Sequence, residues 1–311
     1  MGNAACAMIQ NAISVDSKGS RVARVSMLWF LQLLVNKFGA AKESSVVPMM
    51  EELVDNVASK SDEEVNNTYQ TLAYFTAAAL ACFDPSQTVL VKLMLNGITD
   101  PNHGLKVAKS FRLLLAPSEI LSKENFCIIR PLRKQRLYDL VVPQIMSKWV
   151  TNQDKESKDN CLIALAGVLD YMEPALLNDN VREILPLCIE GTNVQNDERA
   201  KFAFISTLLT LVQLCPSMVE EHLDSVINRM TDRTHNTLDS PSDSSVRCRA
   251  MALEVLGSLT MHIRPALLLR RKFKLMAELD VALDDCSREV RHKAERCKML
   301  WFNLADSELE E

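Results

Sequence analysis

Glycine and proline are scarce, with 8 and 11 among 311 residues. Sheets joined by tight turns draw on both, so the shortage argues against a β-rich chain and leaves the helix as the main element. Aromatic residues make up 5%, too few to alternate with basic side chains along a nucleic-acid groove. Neither sign of charge dominates. The net charge of −5 at pH 7 sets up no broad field toward polyanions, so no direct nucleic-acid partner is expected. The longest apolar runs, 27–35 and 71–83, are shorter than the roughly 20 residues a membrane-crossing helix requires, and no membrane partner is expected. Nor do the first residues carry a secretory or transit pattern. Met1 and Gly2 lead straight into helix-like sequence, as at the start of a fragment of a longer protein. Cys6 stands where N-myristoylation calls for Ser or Thr.

Signatures of catalysis are missing too. The histidines (His103, His222, His235, His262 and His292) are isolated, and neither a His-x-x-x-His pair, a Gly-x-Ser-x-Gly elbow nor a glycine-rich phosphate loop occurs. Nine cysteines invite a metal or disulfide reading. No two of them form Cys-x-x-Cys, and most lie in apolar helical surroundings. They read as reduced core thiols of a cytoplasmic and nuclear protein. No enzyme activity, cofactor or metal is expected.

What remains is helical periodicity, repeated. The chain is 48% hydrophobic. Near its end, Asp243-Ser-Ser-Val246-Arg247-Cys-Arg-Ala250 is echoed by Asp285-Cys-Ser-Arg-Glu-Val290-Arg291-His-Lys-Ala294, with Val, Arg and Ala recurring 44 residues on. A polar cap followed by Val-Arg-x-x-Ala opens a HEAT-type helical hairpin, and about 40–47 residues is that repeat's length. First helices begin near 20, 62, 103, 157, 197, 243 and 286, in steps of 42, 41, 54, 40, 46 and 43. The fold class is therefore all-α, an α-solenoid of about six HEAT-like hairpins plus a closing helix, because each hairpin has an apolar face it cannot bury alone. Ser61-x-x-Glu64 predicts a capping box, and Pro174, Pro216 and Pro265 sit at hairpin corners. Leu176–Ile189 and Met218–Met230 read as single second helices. Lys158–Tyr171 pairs with the former, Asp197–Leu214 with the latter, and Val246–His262 with Pro265–Leu283. The long step holds a break at Pro117–Arg130, which divides N-terminal repeats (1–116) from C-terminal repeats (131–311) of one continuous array, with 117–130 as an insertion loop.

Two basic stretches stand out as docking candidates for an acidic partner. One is Arg130, Arg133, Lys134 and Arg136, and the other is Arg270, Arg271 and Lys274. Arginine's rigid fork of donors suits carboxylates. Arg247 and Arg291 recur at equivalent positions and read as structural, holding one hairpin to the next through Asp or backbone carbonyls. Four acidic residues in 306–311 form a polar end to the array.

The stretch Ile129-Arg-Pro-Leu-Arg-Lys-Gln-Arg136-Leu-Tyr, together with Leu283-Asp-Asp, Val290-Arg-x-x-Ala294 and Trp301-Phe302, resembles a known family. It is the HEAT-repeat adaptor family named for methyl-methanesulfonate sensitivity, from the cytosolic iron–sulfur assembly (CIA) targeting complex. The resemblance runs from about Asn125 to the end and places this chain in the family's C-terminal region. It implies a scaffold with no catalytic residue or cluster of its own. Its implied partners are a small SufT-like subunit, a WD40-propeller subunit and apo iron–sulfur proteins, among them DNA replication and repair enzymes. The alternative is a karyopherin-like transport protein or another general HEAT-repeat scaffold. Against the former, Trp29, Trp149 and Trp301 lack a repeated Trp-x-x-x-Asn context.

Overall fold

Residues 2–14, 21–39, 46–195, 197–234 and 243–304 are described by the computed structural model of the chain. Sixteen α-helices and no strand occur among the described residues. Contacts divide the chain into two compact units, Met1–Tyr171 and Met172–Glu311. His235 and the acidic residues of 306–311 lie outside the described residues.

The first unit contains α1 (Gly2–Ile13), α2 (Arg21–Phe38), α3 (Val46–Asp55), α4 (Asp62–Cys82), α5 (Gln87–Gly97), α6 (Gly104–Ser110), α7 (Arg133–Thr151) and α8 (Lys155–Leu169). Helix α4 starts where the sequence says it should. Ser61 Oγ accepts from the Glu64 backbone N–H, and Glu64 answers by accepting from the Ser61 N–H at 3.0 Å. It ends at Phe83, whose φ of 64° turns the chain ahead of Asp84-Pro85. Between those ends α4 is buried on almost every side, from Val65 to Ala81. Its alanines and β-branched residues let α1, α2, α5 and α6 crowd around it, while the hydroxyls of Thr68, Thr71 and Thr76 bond back to carbonyls four residues earlier. Helices α2, α4, α6 and α8 pack as successive neighbours in one layer, and α3, α5 and α7 line the other. Gly167 explains one close approach. A Cβ there would lie 2.7 Å from the Arg112 backbone nitrogen, in the 3-10 turn Phe111–Leu114 that continues α6.

The second unit contains α9 (Pro174–Asp179), α10 (Val181–Gly191), α11 (Glu198–Leu214), α12 (Pro216–Glu220), α13 (Leu223–Thr234), α14 (Asp243–His262), α15 (Pro265–Leu283) and α16 (Arg288–Phe302). Its core follows α11, α14 and α16, which pack side by side. Trp301 is fully buried there, and its indole N–H donates to Leu256 O at 2.9 Å. The unit also holds a buried ion pair. Arg249 Nε and Nη2 donate to Asp285 Oδ2 and Oδ1 at 2.7 and 3.1 Å, and Asp285 also accepts from the Ser287 N–H.

Pro174, Pro216 and Pro265 open α9, α12 and α15 in their first turns, as expected. Both of the anticipated single second helices are instead broken, at Asn180 and at Glu221-His222. At the first break the Asn180 side chain bonds to Leu176 O at 2.8 Å, taking an acceptor from the helical ladder. The helix expected from His103 to Leu115 tightens into the 3-10 turn at Phe111.

Helix α12 lies against α11, as expected of that hairpin, while α13 and α15 make their close backbone approach to the helices that follow them, α14 and α16. Arg247 does tie α14 to α11, but its guanidinium sits over the Phe202 ring at 4.6 Å rather than on an aspartate. Arg291 bonds the carbonyls of Asp285 and Cys286 at 2.7 and 3.0 Å, inside the turn before its own helix. The Asp285 carboxylate is already engaged by Arg249.

Candidate docking site

The break at 117–130 is built, not slack. Ser118 Oγ accepts from the N–H groups of Ile120 and Leu121, and Asn125 Nδ2 reaches back to the carbonyls of Glu119 and Ile120. The turn closes with the Phe126 N–H on Lys123 O and the Cys127 N–H on Ser122 O. It requires Phe126 to adopt φ 54°, a region a bulky residue rarely enters, and leaves the ring 85% exposed. From there the chain extends. The Asn36 side chain of α2 grips Ile128, accepting from its N–H at 2.9 Å and donating to its carbonyl at 3.0 Å. Next, the Arg130 N–H donates to Ala81 O at 2.8 Å. Side chains alternate along an extended stretch, so Cys127 is buried while Phe126 and Ile128 face outward.

This segment carries the first basic cluster to the surface. Arg130 is exposed, and Arg136 is exposed with its guanidinium 5.2 Å from the Phe83 ring. Lys134 is half-buried. Arg133 is half-buried too, and desolvation holds its guanidinium below the ordinary value; it stays charged at any physiological pH. Exposed Leu132 completes a patch of Phe126, Ile128 and Leu132 among arginines. The apolar members were missed as site residues in the sequence, although alternation across Phe126-Cys127-Ile128 is the signal that marks them.

The second cluster is partly neutralised. Arg271 pairs with Asp224 of α13, which makes it a link between neighbouring helices. Arg270 and Lys274 are exposed. Lys274 and Arg271 line a small cavity of about 200 Å³ together with Asp232 and Glu278. Acidic neighbours therefore weaken this cluster as a receptor for carboxylates, whereas Phe273 beside it is 89% exposed.

Among the described residues, no group of three or more His, Cys, Asp or Glu side chains is placed to hold a metal ion. No described helix is long and apolar enough to cross a membrane. Cys82 is half-buried, Cys286 is exposed, and Cys127, Cys161, Cys188, Cys215, Cys248 and Cys297 are buried, with no disulfide among them. Burial pushes Cys161 up to about 11, and Cys248 and Cys297 up to about 12. What the surface offers is an apolar-and-basic ridge suited to binding another macromolecule.

Among solved structures, the karyopherin Kap121p bound to Pho4p shares the fold, with a TM-score of 0.53 at 11% identity over 93% of this chain and 30% of that one. An engineered protein gives 0.52 at 11% identity over 81% of this chain and 98% of its own. Both likenesses speak for the α-solenoid fold class alone. Sequence relatives are more specific. A DNA repair/transcription protein mms19 of Schizosaccharomyces pombe is 25% identical over 282 residues, 90% of this chain and 27% of that protein. MMS19 nucleotide excision repair protein homologs are 25% identical in Dictyostelium discoideum, over 75% of this chain and 21% of that protein, and 24% identical in Homo sapiens, over 77% and 22%. The chain thus spans about a fifth to a quarter of the length of these curated relatives. The family described as RNAPII transcription regulator C-terminal matches residues 4–260. Helical repeats throughout and a match over most of their length lead to one conclusion: this chain belongs to the MMS19 family and corresponds to its C-terminal region.

Proposed function

We propose that this chain is a non-catalytic adaptor serving DNA repair and transcription, as the names of its relatives say of them. In finer terms, it docks a small SufT-like subunit and a WD40-propeller subunit of the CIA targeting complex. Together they pass iron–sulfur clusters, the cargo, to apo-proteins, including replication and repair enzymes, in cytoplasm and nucleus. The observation that supports docking here is the ridge at 126–136. A strained turn holds Phe126 almost fully out of the protein, next to Ile128, Arg130 and Leu132. Exposed aromatic residues and arginines are enriched in protein interfaces.

Co-purification tests this. The chain is expressed with the two partner subunits and captured by a tag on the chain. Phe126→Ser combined with Arg130→Glu is expected to remove the partners and leave the melting temperature within about a degree, since both side chains are exposed. Retention of both subunits by this variant would remove the ridge from the mechanism. Reversing Arg133 or Arg136 is less clean, because one is half-buried and the other stacks on Phe83.

A further inference from the structure

On α2, Asn36 follows Gln32 at the i+4 position, which puts both amides on one face of the helix. They make matching bonds to α4. Gln32 Nε2 donates to Tyr74 O and Asn36 Nδ2 to Ala78 O, each at 3.4 Å. The two are equivalent rungs. At Asn36 the remaining acceptor is filled by the chain's own extended segment, through the Ile128 N–H. At Gln32, only 2% exposed, the amide oxygen has no partner at all. A buried acceptor left without a hydrogen bond is destabilising, so this rung calls for an explanation.

Gln32 lines a cavity of about 430 Å³ between α2, α4 and the 116–121 loop, a volume in the range of ligand sites. Trp29, Tyr74, Ala77 and Pro117 form apolar walls, and Arg133 enters from the start of α7. Among the described residues no carboxylate pairs with Arg133. A partly desolvated guanidinium without a counter-charge is a receptor for one.

We propose that this cavity receives an extended segment of a partner protein, with an Asp or Glu side chain on Arg133 and a backbone N–H on the Gln32 amide oxygen. The segment would repeat, one rung along, the way Asn36 already holds Ile128. Gln32 Oε1 is itself covered. Turning the side chain toward the opening breaks only the long 3.4 Å contact to Tyr74. A phosphate-rich ligand fits poorly, because Arg133 is the one cation in the lining and Glu119 also lines the cavity. The inference does not depend on which complex the chain joins.

Fluorescence polarisation of the 311-residue chain with labelled nonapeptide pools tests it. One pool has aspartate fixed at the centre and small or aliphatic residues elsewhere; its match has asparagine. The acidic pool is expected to bind at least about tenfold tighter, and Arg133→Gln to erase that advantage, a loss of about ten- to a hundredfold. Glu119→Gln should strengthen acidic binding. Gln32→Met should weaken both pools while leaving the melting temperature unchanged or raised, because it removes an unsatisfied buried amide; a merely structural Gln32 would do the reverse. Phe126→Ser alone, which changes no charge near Arg133, should bind the acidic pool normally, so the adaptor reading and this one fail separately. Equal binding of the two pools, no binding of either, or an Arg133→Gln chain that keeps the preference would overturn the proposal.

Discussion

Arg249 and Asp285 show how much one pair of side chains can carry. Both are almost fully buried, at 3% and 1% side-chain exposure. Each alone would be an uncompensated charge in the core, so Asp285→Ala should destabilise the chain by about 3–5 kcal/mol in urea unfolding, whereas Arg249→Met with Asp285→Leu should come close to wild type. The pair also sets a pH dependence. Burial by itself would raise the Asp285 carboxyl, but the bonds from Arg249 and Ser287 overcome it and hold the group below its ordinary value. Its contribution is therefore complete above the ordinary carboxylate pKa of about 4 and fades as pH falls through the lower folded value. The midpoint of urea unfolding should drop on that acidic side, and less steeply in Asp285→Asn. The thiols make a second expectation at this scale. Exposed Cys286 should be alkylated quickly at pH 8, with Cys161, Cys188, Cys248 and Cys297 protected until urea opens the fold. Mass spectrometry of the labelled peptides reads this directly. The core thiols were legible from their apolar neighbours in sequence. Arg249 was not, because nothing local distinguishes it from the exposed Arg247 two positions earlier.

Local chemistry decides where helices begin. The capping box at Ser61 and Glu64 holds as written in the sequence, and Ser61→Ala should cost about 1 kcal/mol of stability by thermal unfolding. Asp154 and Asp197 cap α8 and α11 in the same way, accepting from the N–H groups of Ser157 and Ala200. The Ser61–Glu64 box was readable because its two members are three residues apart. The breaks at Asn180 and His222 escaped the pattern, since the apolar stripe runs through both while the backbone does not. The extended 127–130 segment was equally hidden: its partner, Asn36, lies 92 residues away. Asn36→Leu should release that segment without unfolding the helices. Hydrogen exchange at the Ile128 amide and trypsin cleavage at Lys123 should both accelerate, while far-UV circular dichroism stays unchanged. Persistent protection at Ile128 would mean that the turn alone holds it.

At the scale of the molecule, the expectation is a protein-binding array with no appetite for polyanions. A filter-binding titration with single- and double-stranded DNA should show no steep loss with salt, because there should be little binding to lose. Strong binding that falls by orders of magnitude between 50 and 200 mM salt would point instead to a nucleic-acid groove. The repeat length, the helical class and the family were written into the chain, since amphipathic periodicity and caps are local and recur at a fixed step. Partnering was not. Which helix approaches which depends on where small residues such as Gly167 admit a neighbour, and on buried bonds such as Trp301 to Leu256 that span 45 residues. The same holds for the candidate sites. The sequence displayed the arginines in a row, whereas packing exposed Arg130, set Arg136 against Phe83 and turned Arg133 into a cavity beside an unfilled amide. Charge is a property of the residue, but burial and the choice of counter-charge come from the neighbours the fold supplies.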